Sequence, residues 1–240
     1  MNAILLAAGF GTRLRPLTDT VPKCLVPIDG EPLLDIWLRR LADAGIAKFL
    51  VNTHYLGATV SGHLQGSHYR DRIRVVYEET LLGTAGTLLA NLDFLDGADG
   101  FLIHTDNWCV GDLDAFVVAH RNRPADCLMT MMCFRTPTPS TSGIVELDSR
   151  GVVVGFHEKV AAPPGNLANS AVYLLSAELQ QLLRTRFPDA LDFSTEVMPH
   201  LVGKICAWET SDPFLDIGTP QTYAQACALA AQRRAAGLRD

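Results

Sequence analysis

The 240-residue chain has no apolar run approaching 18 residues, so nothing in it reads as a membrane span. It has no dense basic block either. Its 20 Lys and Arg are dispersed among 26 Asp and Glu for a net charge of −6, which argues against nucleic acid as the main partner, since neutralising phosphates takes clustered cations. A charged leader with a small-residue cleavage site is missing from the N-terminus, so a cytoplasmic protein is expected. None of the six cysteines (24, 109, 127, 133, 206 and 227) forms a C-x-x-C pair, which removes zinc-ribbon and thioredoxin readings and leaves small buried apolar residues. Internal repeats and low-complexity tails are lacking too.

What is present is an alternation of short apolar runs and amphipathic stretches. "NAILLAA", "KFLVNT", "IRVVYE" and "FLIHT" read as strands, and "LLDIWLRRLADAG" carries Leu34, Leu38 and Leu41 on one helical face. The expected fold is α/β, a Rossmann-like, mostly parallel sheet flanked by helices. The second half changes character: "DCLMTMMCF", "SGIVELDS", "GVVVGFHEK" and "LANSAVYLLS" give a β-rich section with few helices. We expect a single domain, with a nucleotide-type half over about 1–112, a β-rich half over about 113–222 and a C-terminal helix over 223–240. Thr84 is the expected N-cap of a helix beginning at "GTAG", and Thr219-Pro220 the N-cap and first turn of the last helix.

The first strand breaks into Gly9-Phe10-Gly11-Thr12-Arg13. Glycines after a strand let the backbone approach a phosphate and aim N–H groups at its oxygens. A P-loop would need G-x-x-x-x-G-K-[ST], which occurs nowhere, and a dinucleotide fingerprint would need a glycine where Leu14 stands. What remains is a glycine loop carrying its own cation, Arg13, followed by Lys23. A guanidinium fork suits two phosphate oxygens, and an ammonium suits a phosphoryl group under attack. Asp106 ends the strand "FLIHT", and Asp216 lies between Leu215 and Ile217 just before a glycine. Carboxylates so placed suit magnesium-dependent phosphoryl chemistry, although a turn at Asp106-Asn107 and a helix-start acceptor at Asp216 are the plainer readings. Glu158-Lys159 ends a strand, and Asn169 within "LANSAVYLL" needs a buried partner for its amide.

In this order the residues resemble the sugar-1-phosphate nucleotidyltransferase family, in particular the branch of mannose-1-phosphate and D-glycero-D-manno-heptose 1-phosphate guanylyltransferases. The opening signature G-x-G-T-R-L-x-P-L-T is matched from Gly9 to Thr18, the following lysine by Lys23, the base loop by "LLGTAG" (81–86), and the closing D-x-G-T-P by Asp216–Pro220. The resemblance implies a nucleotide-diphospho-sugar transferase fold and transfer of a nucleotidyl group from an NTP to a sugar 1-phosphate, releasing pyrophosphate. It implies nucleotide contacts at Leu6, Ala7, Ala8, Gly9, Gly11, Thr12, Arg13, Lys23, Gly83 and Thr84, with Arg13 and Lys23 catalytic. It places Mg²⁺ on Asp106 and Asp216, and the sugar phosphate on Asn107, Gly143, Glu158, Lys159 and Asn169. GTP with a mannose- or heptose-like phosphate is preferred, and UTP or dTTP with an amino sugar or glucose is the alternative. A catalytically silent sugar-nucleotide-binding subunit is a further alternative, against which all four charged residues stand. Departures crowd around the sugar side: His104, Thr105, Val160, and Ala171 where relatives often have glycine. From the length, the β-helix domain some relatives carry is not expected, and a homo-oligomer is left open.

Overall fold

The computed structural model describes residues 1–238; the last two positions of the expected C-terminal helix, 239 and 240, lie outside the described residues. In chain order the elements begin β1 (Asn2–Leu6), β2 (Pro27–Ile28), β3 (Glu31–Pro32), α1 (Leu33–Asp43), β4 (Lys48–Thr53), α2 (Gly57–Gln65), β5 (Ile73–Tyr77) and α3 (Gly83–Ala90). They continue with β6 (Gly100–His104), β7 (Asn107–Cys109), α4 (Leu113–Arg121), β8 (Met129–Arg135), β9 (Gly143–Leu147), β10 (Val153–Glu158) and β11 (Leu167–Leu175). The last are α5 (Ala177–Arg186), β12 (Ile205–Glu209), β13 (Phe214–Asp216) and α6 (Pro220–Ala235).

These elements form two compact units, neither continuous in sequence. The first comprises Ala3–Leu81, His104–Gly111 and the chain from Asp212; the second comprises Met1–Asn2, Leu82–Ile103 and Asp112–Ser211. In the first, strands run in the order β1-β4-β5, with β4 and β5 parallel from Phe49↔Ile73 to Thr53↔Tyr77. Ala3, Ile4 and Leu5 are fully buried, as the unbroken apolar run requires of a strand covered on both faces. Helix α1 buries Leu34, Trp37, Leu38 and Leu41, and Gly45, just past its end, takes φ +77°, the left-handed conformation that suits glycine there. Thr219 caps α6 as expected, in a reciprocal capping box with Thr222.

The second unit is built around β11, which pairs antiparallel with β6, β8 and β9, while β10 extends β9 antiparallel and β12 joins β8 in parallel. The α/β class and the β-rich second half are thus as expected. Two local expectations change. Thr84 does not cap α3: Leu82 is the N-cap, and the Thr84 hydroxyl instead accepts the Phe193 N–H at 2.7 Å. A Ser176-capped helix, α5, follows β11 directly, a start signal that the apolar "YLLS" obscured.

Candidate functional site

The glycine loop begins where β1 ends. The Ala7 N–H is bound at 2.7 Å by Asn52 Oδ1, and Asn52 Nδ2 donates at 2.9 Å to Glu78 Oε1. Both side chains are buried polar groups at the ends of neighbouring strands. They were missed in the sequence, although the amide in apolar "KFLVNT" is the same kind of signal that singled out Asn169. Leu6 and Ala8 flank Ala7, and the Leu6 carbonyl accepts from both the N–H and the hydroxyl of Thr105, at 3.1 and 2.8 Å. This fixes the end of β1 against the segment that carries Asp106.

Gly11 has φ +64°, and a Cβ there would lie 2.9 Å from Thr18 Cγ2 and 3.1 Å from Lys23 Cβ. It is glycine because the loop folds back on its own continuation. A Cβ at Gly9 would meet nothing within 4 Å, so that position is open on its side-chain side. Thr12 and Arg13 follow in an exposed 3₁₀ turn. Lys23 starts a second, buried 3₁₀ turn, and its side chain is only 10% exposed.

Four charges converge in this unit. Lys23 Nζ donates to Asp106 Oδ2 at 2.7 Å and stands 3.8 Å from Asp216 Oδ1, while Arg13 Nη2 lies 3.9 Å from Asp216 Oδ2. The convergence has a backbone cause that the sequence concealed. Strands β7 and β13 pair antiparallel with Asp216 opposite Asn107, and the Ile217 N–H donates to the Asp106 carbonyl at 2.9 Å. The two aspartates, distant in sequence, are thereby neighbours. Gly218 completes the arrangement: a Cβ there would stand 3.0 Å from both Arg13 Nη2 and Asp216 Oδ1. Burial disfavours charge on Asp106, but the Lys23 ammonium and His104 outweigh it and hold the carboxyl below its ordinary range. Asn107 is buried, its carbonyl accepting from Trp37 Nε1 at 2.8 Å.

The second unit holds the other sequence-derived residues in two groups. Gly83, at φ +77°, sits against the Leu191 carbonyl, and the Ala85 N–H donates to that carbonyl at 3.0 Å. The Gly83-Thr84 start of α3 is therefore pinned to residues 191–193. In the other group Gly143 lies opposite Glu158 in the β9–β10 register. A Cβ on Gly143 would be 2.6 Å from Glu158 Oε2 and 2.9 Å from the Phe156 ring, so only glycine leaves that carboxylate its place. Lys159, at φ +49°, turns back so that Nζ lies 3.1 Å from Glu158 Oε1. Asn169 lies on β11, one residue after the Ala168↔Ile144 pair with β9.

The nucleotidyl transferase family profile matches residues 2–233, nearly the whole described chain. The chain belongs to the nucleotidyl transferase family. Among its relatives, a mannose-1-phosphate guanylyltransferase from Mycobacterium tuberculosis is 31% identical over 95% of this chain and 64% of its own length. A glucose-1-phosphate thymidylyltransferase from Streptomyces griseus is 34% identical over 78% of this chain and 53% of its own. The chain thus spans less than two thirds of either relative. Among solved structures, HddC from Yersinia pseudotuberculosis complexed with GMP-PN superposes with a TM-score of 0.79 at 23% identity, over 95% of this chain and 98% of that one. This likeness shows that the chain shares the α/β fold, parallel strands flanked by helices, that its sequence pattern implied.

Proposed function

We propose that this nucleotidyl transferase family member joins a nucleoside triphosphate to a sugar 1-phosphate, giving a nucleotide-sugar and pyrophosphate. The carrying observation is the cluster of Arg13, Lys23, Asp106 and Asp216, two cations and two carboxylates assembled within one unit. Arg13 and Asp216 are more than half exposed and 3.9 Å apart, so their pairing contributes little to stability. Such a loose, wet pair suits residues that exchange partners when a highly charged substrate arrives.

In this reading Leu6, Ala7, Ala8, Gly9, Gly11 and Thr12 are the nucleotide contacts of the first unit, and Gly83 and Thr84 those of the second. Lys23 offsets charge on the α-phosphoryl group, and Arg13 stabilises the departing pyrophosphate. An oxygen of the sugar phosphate attacks the α-phosphorus in line, and the bond to the β-phosphate's bridging oxygen breaks as the new one forms. The attacking oxygen is already ionised near neutral pH, so no general base is required. Glu158, Lys159, Gly143 and Asn169 are the sugar-phosphate contacts of the second unit, where Lys159 offsets the phosphate's charge, and Asn107 is that of the first.

Asp106 and Asp216 would hold Mg²⁺. The donor set fits: two hard carboxylates are brought beside each other by the β7–β13 pairing, both within 4 Å of one ammonium. Magnesium characteristically takes one or two carboxylates and draws its other ligands from water and substrate phosphates. When bound it would supply charge neutralisation and Lewis-acid polarisation of phosphoryl oxygens.

GTP with a mannose- or heptose-like 1-phosphate is the preferred pair, supported by the "LLGTAG" loop and the guanylyltransferase name of the M. tuberculosis relative. The S. griseus relative's name favours a second pair, dTTP with glucose 1-phosphate. The reading assigns the protein to the cytoplasm, and no helix among the described residues is long and apolar enough to cross a membrane. Incubating the protein with GTP, UTP or dTTP, Mg²⁺ and mannose, glucose or heptose 1-phosphate tests both pairs at once. Pyrophosphate is expected from at least one combination; none from any would overturn the reading in favour of a silent binding subunit.

A further inference from the structure

Strand β11 is broken where Asn169 stands. Asn169 pairs with Cys133 of β8 and Tyr173 with Met131, so four steps along β11 match two along β8. The surplus forms a bulge in which Ala171 adopts φ +57°, a conformation glycine accepts freely and alanine does not. Strain of this kind persists where surrounding contacts hold it, and it is concentrated at functional sites.

The bulge dictates how the Asn169 amide lies. The Ala171 N–H donates to Asn169 Oδ1 at 2.9 Å, and a backbone N–H can meet only an acceptor, so the amide cannot be flipped. Nδ2 is then directed at Tyr173, donating to its phenol oxygen at 2.7 Å. Tyr173 is fully buried, and Ser194 is a second hydrogen-bond partner of its hydroxyl. Burial, reinforced by the Glu158 charge, pushes the phenol's pKa up, so the group stays protonated at any working pH. With Oδ1 and one N–H committed, the half-buried Asn169 retains a second N–H to offer.

We infer that Tyr173 is a positioning residue: with the Ala171 bulge it fixes the Asn169 amide so that its second N–H faces an acceptor oxygen of the sugar phosphate. The inference rests on the reading of Asn169 as a sugar-phosphate contact. It adds a buried hydroxyl that acts through Asn169 and touches no substrate itself.

The test compares Tyr173→Phe, Asn169→Ala and the double variant with the unaltered protein. The probes are GTP with mannose 1-phosphate and dTTP with glucose 1-phosphate, followed by pyrophosphate release, with Tm recorded for each variant. Loss of one oriented hydrogen bond predicts that Tyr173→Phe raises KM for the sugar phosphate about tenfold and leaves KM for the nucleotide within about twofold. The double variant is expected to be no worse than Asn169→Ala alone, because the phenol has nothing to act on once the amide is gone. If Asn169→Ala raises the sugar-phosphate KM but Tyr173→Phe lowers only Tm, or if the two effects multiply, the positioning role is overturned while the site assignment stands. If Asn169→Ala leaves that KM unchanged, the assignment of Asn169 falls and the inference with it. If the unaltered protein turns over neither pair, the proposed function on these pairs and the inference both fall.

Discussion

The two units hold their candidate residues by opposite means. In the first, two short paired strands bring the aspartates together and charge holds the side chains: a nearly buried ammonium sits between two carboxylates, and a guanidinium waits at the edge. In the second, positions are set by backbone irregularity: left-handed conformations at Gly83, Lys159 and Ala171, a bulge in β11, and a glycine at 143 whose missing Cβ makes room for a carboxylate. A charge-built site should fail steeply when one charge is removed, because the partners are left uncompensated in a partly desolvated place. A site built from backbone shape should fail by degrees, since each displaced side chain costs one contact. Substitutions in the two units therefore separate the designs.

The largest effect is expected at the carboxylates. Asp106→Asn and Asp216→Asn should each lower Mg²⁺-dependent pyrophosphate release by roughly a thousandfold or more while leaving the folded state intact, a loss of about 4 kcal/mol of transition-state stabilisation. Initial rates at several Mg²⁺ concentrations would show this, and full activity in either variant would remove the metal assignment. Arg13→Ala comes next, at about a hundredfold to a thousandfold in kcat, the scale of losing one charged partner of a transition state. A raised nucleotide KM with unchanged kcat would mean that Arg13 binds the triphosphate without stabilising the leaving group.

A third expectation concerns the second unit's stability. His120 on α4 is buried, its Nδ1 2.8 Å from the Thr130 hydroxyl and its Nε2 3.2 Å from Asp99. Burial, with the Arg123 cation adding to it and Asp99 opposing, pushes its pKa down to about 4. An unfolded chain takes up that proton near pH 6.5, so protonation favours unfolding throughout the interval between the two values. Stability from this group is therefore full above about pH 6.5 and is lost progressively as pH falls towards 4, by roughly 3 kcal/mol in all. Urea unfolding at pH 7 and pH 4.5 should show the decline, and His120→Gln should flatten it. Equal slopes in the two proteins would assign the pH dependence to other groups.

The charge-built cluster was the more legible in sequence, and the reason is physical. A residue type at odds with its surroundings is visible in one dimension: Asp216 between Leu215 and Ile217, or Asp106 at the end of an apolar strand. What brings those aspartates together was not visible, because β7 and β13 are three-residue strands whose pairing leaves no periodicity to read. Asn52 was visible as an amide in an apolar run, but its partner Glu78 was not, since a buried hydrogen bond depends on which two residues meet. The bulge in β11 gave half a signal. Asn169 stood out in an apolar run, but the alanine at 171 does not itself announce a left-handed residue, and only the glycine that relatives often carry there pointed to one.

The gentlest substitution puts the shape-built site to the sharpest use. Gly143→Ala adds one methyl where it would stand 2.6 Å from Glu158 Oε2 and 2.9 Å from the Phe156 ring. The carboxylate is the tip of a side chain and can swing aside, and the half-buried Phe156 ring has to give by a few tenths of an ångström, so the protein should fold with a modest loss of Tm. Its displacement takes Glu158 away from Lys159, now 3.1 Å from it, and from whatever the pair holds. The expected result is a rise in the sugar-phosphate KM of about tenfold, the worth of about 1.4 kcal/mol, with nucleotide KM unchanged. Equal rises in both constants would mean that the two substrates do not divide between charge and shape, and the contrast between the units would no longer describe how the protein binds them.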